Sequence, residues 1–227
     1  MQIGDTELKE GGLTIIAERP GFGEGKVSLA LMEDVLRKHK LDGEVALFIL
    51  DYRNFYGRYS YYSFWEDHVK TSPWISFSKM HPEVNVVFDD ALKLPAKMAR
   101  ILERLQAETP VKYIFIDTVC PLNCEMHKLT RASMLPDQTT TAAFLEDLAA
   151  KNHVSIIARF GVDRRLERRE DKHPQLRDLK IKDQELARAS SIILVFRRSL
   201  YEGPCPNGNE FELSIMCSSK RDTKIVL

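Results

Sequence analysis

Long hydrophobic runs are missing from this 227-residue chain. No apolar stretch approaches the ~20 residues that cross a bilayer, which excludes a spanning segment of that kind. Net charge is missing as well, because 33 Lys and Arg are balanced by 33 Asp and Glu. That balance excludes nucleic-acid binding by bulk positive potential, so any such contact needs a local basic patch. Cysteine is sparse, at Cys120, Cys124, Cys205 and Cys217. No CxxC pair exists, so reduced thiols are the reading ahead of a zinc site. A chain this long buries a sizeable core without such staples. The start, MQIGDTELKEGG, is polar and acidic, unlike a secretory signal or a transit peptide. With the thiols it leads us to expect a cytoplasmic protein and no membrane partner. Internal repeats and low-complexity segments are absent too, and 29% charged with 44% hydrophobic residues is ordinary globular composition.

What is present is an alternation of apolar runs and helical patterns. Leu13–Ala17, Val45–Leu50, Val84–Phe88, Tyr113–Ile116, Val154–Ala158 and Ser191–Phe196 read as strands. Gly25–Lys40, Pro95–Ala107 and Thr139–Lys151 read as helices, and Glu210–Cys217 with Thr223–Leu227 as a closing pair of strands. Continuously apolar strands separated by helices predict a mostly parallel sheet covered on both faces, in one domain spanning 1–227. Ligands of such sheets sit at the carboxyl ends of the strands. Glu18–Glu24, Asp51 and Asp117 all fall there.

The segment LTIIAERPGFGEGKVSLAL reads as strand, glycine-rich turn and helix. Gly21, Gly23 and Gly25 would let backbone N–H groups approach an anion, with Lys26 and the helix dipole adding positive charge. The phosphate-loop pattern G-x-x-x-x-G-K-[ST] is met in part. Pro20 stands at the first glycine, Val27 at the hydroxyl position, Ser28 one residue later, and Glu24 puts negative charge inside the turn. Asp51 and Asp117 each end an apolar run, a place suited to holding the water shell of a phosphate-bound metal. Arg159 to Lys180 carries eight basic and five acidic residues, an excess of three. It reads either as a solvated, salt-bridged segment or as a contact for a nucleic-acid backbone. Tyr52–Phe77 holds half of the chain's twenty Phe, Trp and Tyr residues, which suits a local subcore, a partner face or base stacking.

Several of these segments together resemble the C-terminal, RecA-like ATPase domain of DnaB-type replicative helicases. GGLTIIAERPGFGEGKVSLAL is similar to that family's first strand and phosphate loop, including the Ala-x-Arg-Pro lead-in. RRLERREDKHPQLRDLK is similar to its long Arg-x-Leu-Glu-x-Arg-x-Asp-Lys-x-Pro-x-Leu-x-Asp-Leu run. VVFDDALKLPAKMARILERLQAETPVKYIFIDTVCPL resembles the approach to its Walker B strand, and IILVFRRSLYE with FELSIMCSSKRDTKIVL its closing strands. The likeness spans Glu10 to Leu227. It implies a RecA-like P-loop fold with a C-terminal antiparallel extension, binding ATP and Mg²⁺. Arg19, Pro20, Gly21, Gly23, Gly25, Lys26, Val27 and Ser28 would line the nucleotide. Asp117 would hold the metal through water, Asp51 would stand in for the family's catalytic glutamate, and Arg197 or Arg198 would act on a neighbouring subunit. Single-stranded DNA would meet Arg164, Arg165, Arg168, Arg169, Lys172 and Arg177. The partners implied are copies of the same chain in a hexamer-like ring, or a helicase. Phe160 and Gly161 replace the family's Ser-Gln pair, and DQELAR replaces its Gly-Ala-Ile-Glu-Gln turn. These departures lead us to expect weak or lost ATP hydrolysis, and leave a non-catalytic interaction protein as the alternative.

Overall fold

The structure, a computed structural model, describes residues 2–3, 6–7, 11–19, 26–39, 44–49, 80–88, 95–117, 139–179, 181–205, 210–217 and 220–226. A short hairpin of β1 (Gln2–Ile3) and β2 (Thr6–Glu7) precedes the main sheet. That sheet contains β3 (Gly12–Glu18), β4 (Val45–Ile49), β5 (Asn85–Phe88), β6 (Tyr113–Asp117), β7 (Ser155–Gly161), β8 (Ser191–Arg197), β9 (Phe211–Cys217) and β10 (Lys220–Val226). The order across the sheet is β10-β9-β8-β3-β7-β6-β4-β5. From β8 to β5 every pairing is parallel, and β9 and β10 add antiparallel at the other edge. The expected mostly parallel sheet with an antiparallel C-terminal extension is therefore what forms. The last strand starts earlier than its apolar stretch predicts, because a register shift between Lys220 and Thr223 lets the polar KRD segment join the ladder.

Three helices of 14 residues cover the sheet: α1 (Lys26–His39), α2 (Pro95–Glu108) and α3 (Thr139–Asn152). In α1 the buried positions Val27, Leu31, Met32, Val35 and Leu36 form one helical stripe. They pack with Ile16, Leu47, Phe115, Ile157 and Ile193, which share one face of the sheet. Side chains alternate along a strand, so Leu13, Ile15 and Ala17 point the other way. They meet Met98 and Leu102 of α2 and Ala142, Leu145 and Ala149 of α3. The DQELAR segment opens as a one-turn helix, α4 (Asp183–Leu186), whose Leu186 joins the same cluster. A strand buried on both faces needs apolar residues at every position, which is why the strands read as unbroken runs.

Strand β3 lies between β7 and β8, so chain segments leave its neighbourhood in opposite directions. A crevice opens at such a reversal, outside the carboxyl ends of the strands. All six parallel strands end on that one edge, and the connections that follow them supply the candidate site.

Candidate functional site

The carboxyl edge gathers Glu18 from β3 and Arg19 just after it, Asp117 from β6, Phe160 and Gly161 from β7, and Arg197 from β8. Register fixes some of these neighbours: Glu18 lies beside Gly161, and Ile49 beside Asp117. The expectations for Pro20, Gly21, Gly23, Gly25, Asp51 and the aromatic stretch 52–77 lie outside the described residues. For Lys26 and Asp117 the backbone alone is described: the first residue of α1 and the last of β6. Val27 and Ser28 are both buried, Val27 inside the α1 cluster, where it offers no ligand to a metal.

Two charged residues interrupt otherwise apolar strands. Glu18 and Arg159 are 6% and 7% exposed, and the Arg159 guanidinium donates to the Glu18 carboxylate. They sit on the α1 face, where an isolated charge would be strongly disfavoured, and pairing offsets the burial of both. The signal for this pair was present in the sequence as a charge within LTIIAE and another within SIIARF.

Beyond β7 the basic run folds back over the edge. Asp163 caps a 3₁₀ turn, Arg164–Arg168, by accepting from the Arg165 N–H at 2.9 Å. A second 3₁₀ turn spans Leu176–Asp178. The buried Asp178 carboxylate accepts from Arg169 at 2.8 and 3.1 Å, a two-pronged pair. Arg169 also donates to the His173 carbonyl at 2.8 Å. Lys172 donates to the carbonyls of Glu167 and Arg169. The six basic residues expected to face DNA thus divide. Arg164, Arg165, Arg168 and Arg177 are exposed, while Arg169 and Lys172 are half-buried and hold the run together.

A ring stack anchors the run to β8 and β9. His173 lies on Phe196 at 3.9 Å between centroids, and Phe196 on Tyr201 at 5.3 Å. His173 Nδ1 meets Asp171 at 2.6 Å and Nε2 meets Glu212 at 3.2 Å. The His173 backbone N–H and its imidazole together hold the Asp171 carboxyl below its ordinary range.

The two candidate arginines differ in surroundings. Arg197 Nε donates to Glu210 at 2.5 Å and to Ser199 at 3.1 Å, and Ser199 donates to the same Glu210 oxygen at 2.9 Å. Arg198, first residue of the short helix α5 (Arg198–Tyr201), pairs with Glu202 at 2.9 Å on the surface. At the other end of α5 the Tyr201 hydroxyl donates to Glu167 at 2.6 Å, and the same carboxylate oxygen meets Arg19 Nε at 2.5 Å. Burial first, then that hydrogen bond, push the Tyr201 phenol well above its ordinary value. Glu18, Arg19, Lys172, Phe196, Arg197 and Tyr201 line a cleft here, with a cavity volume of about 20 Å³. That volume suits about one water molecule. None of Glu167, His173, Tyr201 and Glu210 announces itself in the sequence, because each acts through a partner brought close by the fold.

A family model described as the DnaB-like helicase C-terminal domain matches residues 66–226, well over half of the chain. The chain belongs to that DnaB-like family. The matched range takes in Asp117, the basic run and both candidate arginines, and begins after the glycine-rich turn. A solved ATPase domain superposes with a TM-score of 0.67 at 18% identity, covering 95% of this chain and 80% of that one. A DnaB-like replicative helicase, solved in a study of its interactions with primase, superposes with a TM-score of 0.65 at 18% identity. The alignment covers 97% of this chain and 55% of the helicase, so this DnaB-like domain spans about half of that protein's length. At such identities these likenesses establish the fold. A comparison with curated proteins returns no match. Among the described residues no three His, Cys, Asp or Glu side chains are grouped to hold a metal, and no helix is long and apolar enough to cross a membrane.

Proposed function

We propose that this DnaB-like domain binds a nucleoside triphosphate with Mg²⁺ at the carboxyl edge, binds single-stranded DNA through its basic run, and hydrolyses ATP weakly or not at all. The observation that carries the reading is the convergence on one edge of the strand ends bearing Arg19, Asp117 and Arg197, beside exposed Arg164, Arg165, Arg168 and Arg177. The donor set fits such a ligand: Lys26 opens a 14-residue helix, where an anion is favoured, and Asp117 ends β6, where a carboxylate can hold metal-bound water. Bound Mg²⁺ would supply charge neutralisation at the phosphates. Asp51 would orient water, and Arg198 or Arg197 would reach a neighbouring subunit of a ring.

Weak hydrolysis is supported by three features of the edge. Phe160 is wholly buried in the core and Gly161 has no side chain, so the end of β7 offers no hydrogen-bonding side chain. Val27 stands where a metal-binding hydroxyl is expected. Arg197 is already neutralised by Glu210. Loss of one such group typically lowers turnover by orders of magnitude. The same features favour the second reading, an interaction domain that docks on a helicase and turns over nothing.

Nucleotide binding measured with and without Mg²⁺, alongside ATP turnover, tests the reading. Binding with little turnover is expected. Turnover at ordinary helicase rates that Lys26→Ala abolishes would overturn the weak-hydrolysis part. Binding of neither nucleotide nor oligonucleotide, with micromolar capture of an intact hexameric helicase, would decide for the docking role.

A further inference from the structure

Glu167 is the point where three functional candidates meet. It belongs to the capped 3₁₀ turn Arg164–Arg168, flanked by exposed Arg165 and Arg168. One of its carboxylate oxygens, Oε1, takes both the Arg19 guanidinium at 2.5 Å and the Tyr201 hydroxyl at 2.6 Å. Arg19 is the residue that leads into the glycine-rich turn. Tyr201 closes the short helix that opens with Arg198. The backbone around Glu167 is fastened as well, since Lys172 donates to the carbonyls of Glu167 and Arg169. A displacement of Glu167 would therefore carry the turn with it.

We propose that Glu167 is a positioning residue that links nucleotide binding after Arg19 to DNA binding by the Arg164–Arg177 run. The inference rests on the function proposed above and adds a route between its two sites. A phosphate arriving at the glycine-rich turn is a second anion for the Arg19 guanidinium, and its greater charge draws the guanidinium off Glu167. When Arg19 turns away, the half-buried carboxylate keeps only the neutral Tyr201 hydroxyl. It then draws on water or on a nearby arginine, and Arg165 and Arg168 are re-aimed. The guanidinium exchange supplies two alternative arrangements of one element, which each ligand biases. Coupling of this kind is reciprocal: each ligand changes the other's affinity by the same factor.

The test is a thermodynamic cycle on the whole chain, using a fluorescent ATP analogue with Mg²⁺ and oligo(dT). In the unaltered protein, saturating oligo(dT) should shift the Kd for the analogue about fivefold or more, and the analogue should shift the Kd for oligo(dT) equally. Glu167→Gln should bring that factor close to one while leaving each ligand's separate affinity within about threefold, a split that a merely structural defect would not produce. Tyr201→Phe should reduce the factor part-way, and it carries the test if Glu167→Gln melts early by circular dichroism. Full coupling in either folded variant overturns the proposal. Binding of both ligands without coupling in the unaltered protein overturns it too, while the functional reading stands. Binding of neither ligand overturns both.

Discussion

Glu18 and Arg159 form a buried ion pair, so losing either one singly is costly. Both are buried, so bulk water cannot take the place of a missing partner. Arg159→Met removes a charged partner of the buried Glu18 carboxylate beneath α1 and should cost about 3–5 kcal/mol, whereas Glu18→Leu combined with Arg159→Met should recover most of that loss. Urea unfolding of the two single variants and the pair measures the difference, and simple additivity would mean the ion pair does not hold these side chains. Tyr201 and Asp171 make the residue scale visible through pH. The Tyr201 phenol is raised above its ordinary value of about 10, so the neutral form is favoured by folding. Its contribution is complete below that ordinary value and is lost as pH rises through the folded value. Alkaline difference spectra should show a tyrosine that ionises late and disappears in Tyr201→Phe. Asp171 has the opposite sign. Its carboxyl is held down by His173, so its contribution is present above the ordinary aspartate value and is lost as pH falls through the lowered one. In Asp171→Asn the acid limb of the stability curve should become shallower.

At the scale of elements, β3 begins under tight constraint. Gly12 has φ of +83°, and a Cβ there would lie 2.3 Å from the Ser190 hydroxyl oxygen. Around it the Leu13 N–H donates to Glu146 of α3 at 2.9 Å, and the Ser190 N–H to the Leu13 carbonyl at 2.8 Å. Gly12→Ala should therefore cost at least the ~1–2 kcal/mol of a left-handed backbone, with a clash added. Adding Ser190→Ala should return only the clash, and a thermal melt that shows full recovery would refute the backbone part. Such elements were legible in the sequence because burial on both faces writes an unbroken apolar run, as in LTIIA and YIFI. The sheet order was less legible, since VNVVF and YIFI look alike whichever strand they join. The position of Asp117 on the edge was legible because a carboxylate closes an apolar run there. The division of the basic run was not, because Arg168 and Arg169 are adjacent and alike until Asp178, nine residues beyond Arg169, claims one of them.

Over the whole molecule, zero net charge turns DNA affinity into a question of where charge is free to act. Acidic residues take up part of the basic run from within, as Asp178 does Arg169, and backbone carbonyls take up Lys172. Arg164, Arg165, Arg168 and Arg177 remain on the surface. With a neutral chain behind them, little long-range attraction is added. If these four arginines make the contact, the logarithm of affinity for single-stranded DNA should fall with the logarithm of salt at a slope of about −3, since each neutralised phosphate contributes about −0.7. Arg164→Ala should reduce that slope by about 0.7 and weaken binding uniformly across sequences. Arg169→Ala should behave differently: it leaves the Asp178 carboxylate buried without its main partner, so the melting temperature falls while the slope of the folded protein holds. Titrations of oligo(dT) at several salt concentrations, paired with melts, separate the two classes. A slope near zero in the unaltered protein would remove DNA from its ligands and leave the exposed arginines to an acidic protein partner.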